Sequence, residues 1–544
     1  MKRIILIFTF VSLFCIPVFG ARPRQCDVCV YGESASGVMA AIQAARMGKS
    51  TVLVSKNSHV GGLATSGLTA TDINRHTIIG GLAEEFYRRI YDYYLADSVW
   101  RNQTRDEFMV STRKRTFSGK SDARRMQWVY ESGVGERIMK QMLAEAGVEV
   151  IYGARLDLKK GVVKSGSDIR RIVFEDGSSV AAGMFIDASY EGDLMALAGV
   201  SYIVGRESKW QYNETLAGIR LDGEVEMSPY ADREGGRLLP YIDAGLWGEE
   251  GDADGRTQTY CYRLTLTDDP TNMVPIERPE NYDPELYEVV LARKIIGKPD
   301  VQLKNIITFT PMPNRKTDTN HLDFVGASYG YPEGDYAERE RIERAHKEYA
   351  LGMLWFLGND PRVPEHLRTE MKRWGLAADE FADSGHFPYQ IYVREARRMV
   401  GQEVMTEHNV RRDFRVEARY PVGVGSYMLD CHYVSHVAGD DGKVHIEGNI
   451  FTSTRPYPIS YYSLVPKAGE CGNLLVPVCL SASHVAYASI RMEPTYMVLG
   501  QSAAAAAVLA LDSGCTVQQI DYGKLKTILT EAGQILTPAE SRTK

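Results

Sequence analysis

The sequence has no excess of positive charge. Its 63 Lys and Arg residues stand against 70 Asp and Glu, which gives a formal net charge of -7. Because affinity for a nucleic-acid backbone comes largely from clustered cations that release counterions, we expect no nucleic-acid partner. The composition, 44% apolar and 24% charged, is that of a globular chain with a large core, and 544 residues predict at least two domains.

Cysteine is scarce and scattered. Of the eight cysteines, Cys15 lies in the first twenty residues, and the rest are an odd number spread along the chain, which does not indicate a disulfide framework. No group of them is spaced closely enough to hold an iron–sulfur centre. Cys26 and Cys29 have the spacing of a redox motif, but they fall in a predicted buried strand and are interpreted as core residues.

Beyond the N-terminus, we expect no segment with both the length and the apolarity of a transmembrane span. Lys2 and Arg3 precede an apolar run at 4–14, and small residues follow at its end. Residues 1–20 therefore predict a secretory signal cut after Gly20, and a periplasmic or secreted protein. A membrane anchor is disfavoured because the run is short, and lipidation at Cys15 is disfavoured because Phe14 precedes it.

A strand, a glycine-rich turn, a helix and a second strand follow the signal. The predicted strand at 27–31 leads into Gly-Glu-Ser-Ala-Ser-Gly at 32–37, then an Ala-rich helix at 38–47 and a strand at 51–54. This order and length predict a βαβ unit. The alternative interpretation is a tight turn in any α/β protein.

The turn has the chemistry of a dinucleotide-binding site. Gly32 allows the sharp bend, Ser34 is small enough for a pyrophosphate to approach the backbone, and Gly37 lets helix and strand pack closely. The helix N-terminus at Ala35 presents free N–H groups and a positive dipole end to phosphates. Ser34 replaces the middle glycine of the usual pattern.

The end of the second strand lacks the acidic residue that normally binds ribose hydroxyls. Ser55 and Lys56 follow the strand instead, and they or Asn57 could bind the ribose by hydrogen bonding. A Gly61-Gly62-Leu63 segment comes shortly afterwards.

From this segment onward the chain resembles the FAD-dependent oxidoreductase family with a glutathione-reductase-like flavin domain, including flavoproteins related to the heterodisulfide reductase A subunit. In that family a Gly-Gly pair wraps the pyrophosphate and ribityl chain, which Gly61 and Gly62 match. The resemblance implies FAD as cofactor. It also implies an α/β fold: an FAD/NAD(P)-binding Rossmann-like domain with an inserted α+β substrate domain.

Further segments carry the same resemblance. Residues 80–87 resemble the opening of the family's next helix. Residues 185–193 resemble its strand-end motif, which implies that Asp187 and Ser189 lie beside the cofactor, although Tyr190 departs from the glycine of that motif.

Residues 491–505 resemble the family's C-terminal flavin segment, which assigns Gly500 and Gln501 to the cofactor. Pro494 suits a first helical turn, and the apolar run 495–511 predicts a buried helix. A helix N-terminus aimed at the flavin would stabilise the charge of its reduced form. A plain core helix is the alternative.

The resemblance implies an interrupted flavin domain at 22–205 and 465–515, an inserted substrate domain at 206–464, and a C-terminal helix and tail at 516–544. Amphipathic helical patterns fall at 336–356 and 389–400. No second strand, G-x-G-x-x-G and helix unit is found, so we expect electrons to come from a small-molecule substrate and to pass to an acceptor protein or dioxygen.

Polar clusters in the insert are candidates for substrate binding. Arg315 and Asn320 belong to a dense polar stretch that a solvated loop would also explain. Arg394 lies one helical turn from Arg397, a pattern that binds anions but also forms ion pairs. His432 and His436, four apart on a predicted strand, are too far apart for one zinc ion, and no metal is expected.

For catalysis, His484 is the candidate base and Arg491 the candidate anion-holding residue. A structural histidine is the alternative interpretation of His484. These residues predict a secreted dehydrogenase or oxidase acting on a small polar, carbohydrate-derived substrate by hydride transfer to flavin N5. A flavin-dependent lyase or hydrolase of glycosidic linkages, a binding protein without redox activity, and covalent attachment of FAD through a residue such as His59 stay open.

Overall fold

A computed structural model describes residues 23–111, 124–232, 236–414 and 416–538. The predicted signal, its cleavage site after Gly20 and Cys15 lie outside these residues. The strands are β1 (Arg24–Tyr31), β2 (Thr51–Val54), β3 (Glu149–Ile151), β4 (Val162–Ser165), β5 (Asp168–Val173), β6 (Ser179–Asp187), β7 (Tyr202–Ile203), β8 (Leu221–Val225), β9 (Ile242–Asp243), β10 (Leu264–Thr267), β11 (Met273–Val274), β12 (Thr308–Met312), β13 (Lys316–Asn320), β14 (Gly375–Ala377), β15 (Arg398–Met399), β16 (Pro421–Gly425), β17 (Leu429–Cys431), β18 (Ser435–Ala438), β19 (Val444–Glu447), β20 (Ile450–Thr452), β21 (Tyr457–Ser460) and β22 (Leu474–Leu475).

The α-helices are α1 (Ala35–Arg46), α2 (Gly81–Tyr93), α3 (Arg105–Ser111), α4 (Ser132–Glu145), α5 (Asp193–Leu197), α6 (Glu288–Lys294), α7 (Tyr336–Asn359), α8 (Glu365–Met371), α9 (Glu407–Val410), α10 (His484–Ile490), α11 (Glu493–Ser513) and α12 (Tyr522–Glu531).

The largest sheet has the strand order β3-β2-β1-β6-β5-β4, with β22 beside the C-terminal end of β6. β1 runs parallel to both β2 and β6, so the carboxyl ends at Tyr31, Val54 and Asp187 lie side by side. Buried apolar residues on both faces explain why this part of the sheet is parallel. This arrangement confirms the predicted βαβ unit and the α/β class with a Rossmann-like domain.

The central region is built differently. A five-stranded antiparallel sheet has the order β11-β14-β10-β13-β12, and a four-stranded sheet has the order β8-β19-β18-β9. Apolar residues from both regions, such as Val30 and Leu264, belong to one continuous hydrophobic core. The central region is therefore packed firmly against the Rossmann-like one. The domain boundaries given above stay predictions.

Two long helices match their sequence patterns. The pattern at 336–356 predicts α7, and the run at 495–511 predicts α11, which begins at Glu493 with Pro494 in its first turn. Among the described residues α11 is the one helix long and apolar enough to cross a membrane, but 94% of its most apolar window is buried inside the protein. This burial is what a core helix requires.

The helix expected at 389–400 is wrong. This segment is extended, with only the short strand β15 at its end. Its arginines reach three different partners instead of one shared face: Arg394 pairs with Asp323, Arg397 with Asp193 and Arg398 with Glu207. The spacing of arginines thus reflects three separate ion pairs, not helical periodicity.

Candidate functional site

The glycine turn leaves no room for side chains at its two glycines. Gly32 has φ +107°, and a Cβ on it would lie 2.3 Å from the Ser189 nitrogen. A Cβ on Gly37 would lie 2.0 Å from the Gly32 oxygen. Ser34 caps α1: its hydroxyl accepts from the Gly37 N–H at 3.2 Å and donates to the Ala188 carbonyl at 2.6 Å. α1 begins at Ala35, so its N-terminus lies at the turn.

The Gly-Gly pair runs beside this turn. Gly61 and Gly62 have φ +102° and +55°, and Gly61 bridges Ser34. The Leu63 N–H donates to the Tyr190 hydroxyl at 3.0 Å, and a Cβ on Gly62 would lie 2.4 Å from that hydroxyl. Both positions need glycine, because the backbone is left-handed and the space is already filled.

The N-terminus of α11 reaches the same place. The Tyr190 hydroxyl donates to Glu493 Oε1 at 2.8 Å, and Glu493 is the first residue of α11. Glu493 is 4% exposed, and its Oε2 is buried without a hydrogen-bond partner. Burial raises the pKa of Glu493 to about 8, so the carboxyl is protonated at neutral pH.

These features fit a dinucleotide cofactor. The positive-φ glycines bring bare backbone to the N-terminus of α1, and the unpartnered Glu493 oxygen marks a polar position at the N-terminus of α11. Tyr190 takes the Leu63 N–H that a phosphate oxygen could otherwise use, so this side chain is the one obstacle in the cradle.

The end of β2 is occupied by internal contacts. Ser55 is fully buried, and its hydroxyl bonds the carbonyls of Asn57 and His59, which shapes the loop. The Lys56 ammonium bonds Glu191 at 2.7 Å. The Glu33 carboxylate accepts from the Asn57 amide at 2.7 Å, so an acidic group does lie at this strand end. This acidic group comes from the glycine turn, and its position beside Gly32 was the only sequence signal for it.

Other residues assigned by resemblance serve the scaffold in this structure. Asp187 accepts from the backbone and hydroxyl of Ser189 and from Met195, which closes the loop into α5, and burial raises its pKa to about 6. A Cβ on Gly500 would lie 2.1 Å from the Ser36 carbonyl, so Gly500 allows α1 and α11 to cross closely. Gln501 joins the same helix to the Leu82 N–H and to Gln43.

The three candidate substrate residues are not brought together. Arg315 lies just before β13 and pairs with Asp268. Asn320 lies at the other end of that strand. Arg394 is 1% exposed and contacts Cys261, whose thiol also faces Asn320. Arg394 and Asn320 therefore share a neighbour, and Arg315 stands apart.

His484 is sealed. It is 1% exposed, with Nδ1 2.8 Å from Glu395 Oε2 and Nε2 3.3 Å from the Cys431 sulfur. Burial disfavours its charge, but the Glu395 carboxylate outweighs that effect and raises the pKa of His484 to about 10. A histidine held charged, with both nitrogens engaged, is poorly placed to accept a proton.

His432, which sequence reasoning treated only as a metal ligand, has the better arrangement. Its Nδ1 lies 2.7 Å from Asp323 Oδ2, and its Nε2 lies 3.7 Å from Asp430, beyond hydrogen-bond distance. Burial and Arg394 oppose its charge, but Asp323 and Asp430 outweigh them and raise the pKa of His432. The Asp-Cys-His order beside a strand end was its only sequence signal.

Arg491 joins the two regions next to this histidine. Its guanidinium donates to the Tyr392 hydroxyl at 2.7 Å and to the Asp430 carbonyl, while its own segment leads directly into α11. Through Arg491, the Asp323–His432 pair is connected to the N-terminus of α11 and hence to Tyr190 beside Gly62.

His59, the residue considered for covalent attachment, stacks on Tyr389 at 4.1 Å with its nitrogens near Glu136 and Asp383. Among the described residues, one group could hold a metal, the surface set Glu224, Asp441 and His445. The candidate pair His432 and His436 is not part of it.

The comparison with family profiles agrees with this arrangement. A family profile described as "FAD dependent oxidoreductase" matches residues 27–529. No curated protein sequence matches significantly. Among solved structures, L-amino acid deaminase from Proteus vulgaris is 16% identical, with a TM-score of 0.23 and coverage of 38% of this chain and 56% of that chain.

L-proline dehydrogenase from P. horikoshii is 14% identical, with a TM-score of 0.23 and coverage of 34% of this chain and 59% of that one. The chain spans less than two thirds of the length of either protein, so the substrates named for those proteins are not assigned to this chain. The family profile covers most of the chain, from β1 to α12. The chain belongs to the FAD-dependent oxidoreductase family, and its cofactor is FAD.

Proposed function

We propose that this protein is a secreted oxidoreductase for a small polar, carbohydrate-derived substrate. Bound FAD supplies an electron-accepting ring that takes up a hydride at N5. The observation that carries the proposal is the joint at Arg491, where the segment entering α11 meets Asp430 and the Asp323–His432 pair. A polar cluster where two regions of a protein meet is a common place for a substrate to bind.

His432 is the proposed base. Oxidation of an alcohol carbon requires removal of the hydroxyl proton as hydride leaves, and the Nε2 of His432, which faces Asp430 at 3.7 Å, is the proposed acceptor. Asp323 fixes the ring through Nδ1 and stabilises the charged imidazolium that forms. Arg491 holds negative charge at the same place.

The residues that would hold FAD follow from the cradle. Gly32, Gly37 and the N-terminus of α1 at Ala35 would bind the pyrophosphate, and the backbone of Gly61 would pass beside it. Glu33 would supply the ribose-binding carboxylate that β2 lacks. This is the flavin site of the type found in heterodisulfide reductase A-related flavoproteins.

The location of the protein follows from residues 1–20. We propose export through this signal, with an acceptor protein or dioxygen reoxidising the flavin outside the cytoplasm. Expression in a bacterial host followed by N-terminal sequencing should give a periplasmic chain that begins at Ala21. A cytoplasmic chain that keeps Lys2 would contradict export.

The direct test is anaerobic mixing of the purified protein with a panel of sugars, sugar acids and hydroxy acids, followed at 450 nm. The proposal predicts a yellow protein that one class of compounds bleaches. A colourless protein that cannot be reconstituted with FAD would contradict it. Product formation without bleaching on a rapid timescale would instead point to lysis without net oxidation.

A further inference from the structure

A cavity of about 170 Å³ lies in the central region, and none of its lining residues belongs to the glycine turn or its sheet. Segments 239–241, 285–294, 321–325 and 433–436 form most of its wall. It opens beside Tyr241, which is 46% exposed. Its volume is close to the roughly 150 Å³ of a cavity that admits benzene, which limits the enclosed part of a ligand to about one six-membered ring.

The cavity has unmatched positive charge. Arg293 and Lys294, in the last turn of α6, line it, and in the described part of the chain neither has a carboxylate within ion-pair distance. The lining carboxylates are already neutralised: Glu285 pairs with Arg237, and Asp323 pairs with Arg394. Burial and the neighbouring Arg293 lower the pKa of Lys294, as expected for a cation without a partner.

Two imidazoles add neutral hydrogen-bonding groups. His321 and His436 both line the cavity, and burial lowers the pKa of each to about 4. At neutral pH each ring therefore carries one N–H donor and one acceptor nitrogen. Such paired groups suit hydroxyls, which also donate and accept.

The remaining walls are aromatic. Phe324 stacks on Tyr349 with ring centroids 4.2 Å apart. Tyr433 lies under the Arg293 guanidinium at 4.7 Å and accepts a hydrogen bond from it at 2.6 Å. Flat apolar faces combined with a few polar groups suit a ring that is apolar on its faces and polar at its edge.

The cavity also borders the proposed base. Asp323 forms part of its wall and at the same time binds His432 Nδ1. The neighbouring Tyr433 lines the cavity too, one residue from His432. A ring held here lies against Asp323, the carboxylate that fixes His432.

We infer that this cavity is the substrate site and takes an anionic monosaccharide, with Arg293 and Lys294 on its acidic group and His321 and His436 on its hydroxyls. The inference rests on the proposed function, because it assigns the substrate of that same reaction. Uronates and sugar phosphates share the required chemistry, an anionic group on a six-membered polyhydroxy ring. Neutral sugars lack it.

The test is titration calorimetry on the oxidised, FAD-loaded protein with glucuronate, glucose 6-phosphate and glucose. We expect one of the two anionic sugars to bind at least tenfold more tightly than glucose. Lys294→Met should weaken that binding about tenfold or more, since it removes a charged hydrogen bond. Lys304→Met, which removes an exposed lysine outside the cavity, should leave binding unchanged.

Equal binding of the three sugars, or equal losses in the two variants, would overturn the inference. Flavin bleaching separates this result from the proposed function. Tight binding of an anionic sugar that depends on Lys294 but causes no bleaching would keep the site and reject the oxidation. Bleaching by neutral sugars that Lys294→Met leaves unchanged would keep the oxidation and reject the site.

Discussion

Two histidine–carboxylate pairs lie next to each other in this protein, and their surroundings differ. His484 and Glu395 are 1% and 0% exposed at their side chains, and Cys431 covers the second nitrogen of the ring. His432 and Asp323 are 13% and 11% exposed, and the second nitrogen faces Asp430 at 3.7 Å, an ion-pair distance that is longer than a hydrogen bond. Cys431 and His432 are consecutive residues. The Cys431 side chain contacts the His484–Glu395 pair, whereas the His432 side chain belongs to the pair with Asp323.

The difference teaches that the same pair of residue types serves two purposes. Where all polar atoms are satisfied and water is excluded, the pair holds the fold together. Where one nitrogen has only a more distant ion pair, it can exchange a proton. The two sites can therefore be separated experimentally by what each substitution damages.

The largest effect is expected for His432→Asn. Removal of the proposed base should slow flavin reduction by about 10²–10⁴-fold, the usual contribution of general base catalysis. FAD content should stay near that of the wild type because His432 lies outside the glycine turn, and the melting temperature should fall less than in His484→Asn because the His432 side chain is 13% exposed. Stopped-flow absorbance at 450 nm measures the rate, and a wild-type rate would remove His432 from the chemistry.

His484→Asn should instead damage stability. It leaves the buried Glu395 with Arg398 but without its imidazolium partner, at a cost of about 3–5 kcal/mol. The folded fraction should reduce its flavin at close to the normal rate. The pKa of His484 is raised in the folded state, so its contribution is full below about pH 6.5 and is lost as pH rises through about 10.

Denaturant unfolding at pH 7 and pH 10 checks this expectation, with the gap between wild type and His484→Asn predicted to narrow at pH 10. A normal free energy of unfolding combined with a lost rate would reverse the roles assigned to the two histidines.

Asp323→Asn sharpens the comparison through pH. Asp323 is among the groups that raise the pKa of His432, so its removal should move the midpoint of the rate–pH profile to lower pH. The rate at its plateau should fall by roughly tenfold because the ring is less well oriented. A positioning role predicts both changes, and an unshifted midpoint would contradict it.

The remaining effect, on stability instead of rate, is expected at Glu493, on the cofactor side. Its folded pKa is raised, so its stabilisation is full below about pH 4.5 and is lost as pH rises through about 8. In FAD-free protein, Glu493→Gln should remove this pH-dependent loss in the free energy of unfolding, which is on the order of a few kcal/mol. Unfolding curves at pH 5 and pH 8.5 test it, and parallel pH dependence in both proteins would contradict a neutral Glu493.

The sequence was most informative where local patterns decide structure. The glycine spacing predicts the turn between β1 and α1, because Gly32 and Gly37 have no room for a side chain. Pro494 and the apolar run behind it predict α11. Such features depend on residues near in sequence, and the structure confirms them.

The sequence was least informative where distant partners decide. Arg394 and Arg397 look like one helical face, yet each pairs with a carboxylate far away in the chain. Nothing local shows that Glu395 would seal His484 or that Asp323 would leave His432 open. Likewise, the carboxylate beside β2 comes from Glu33, on the other side of α1 in sequence.

The most direct test of the account is a crystal structure of the FAD-loaded protein with an anionic sugar bound under anaerobic conditions. The account predicts the pyrophosphate at the turn between Gly32 and Gly37. It also predicts the sugar in the cavity beside Asp323, with its acidic group towards Lys294. A sugar bound against His484, or a flavin ring on a side of the protein away from His432, would contradict it.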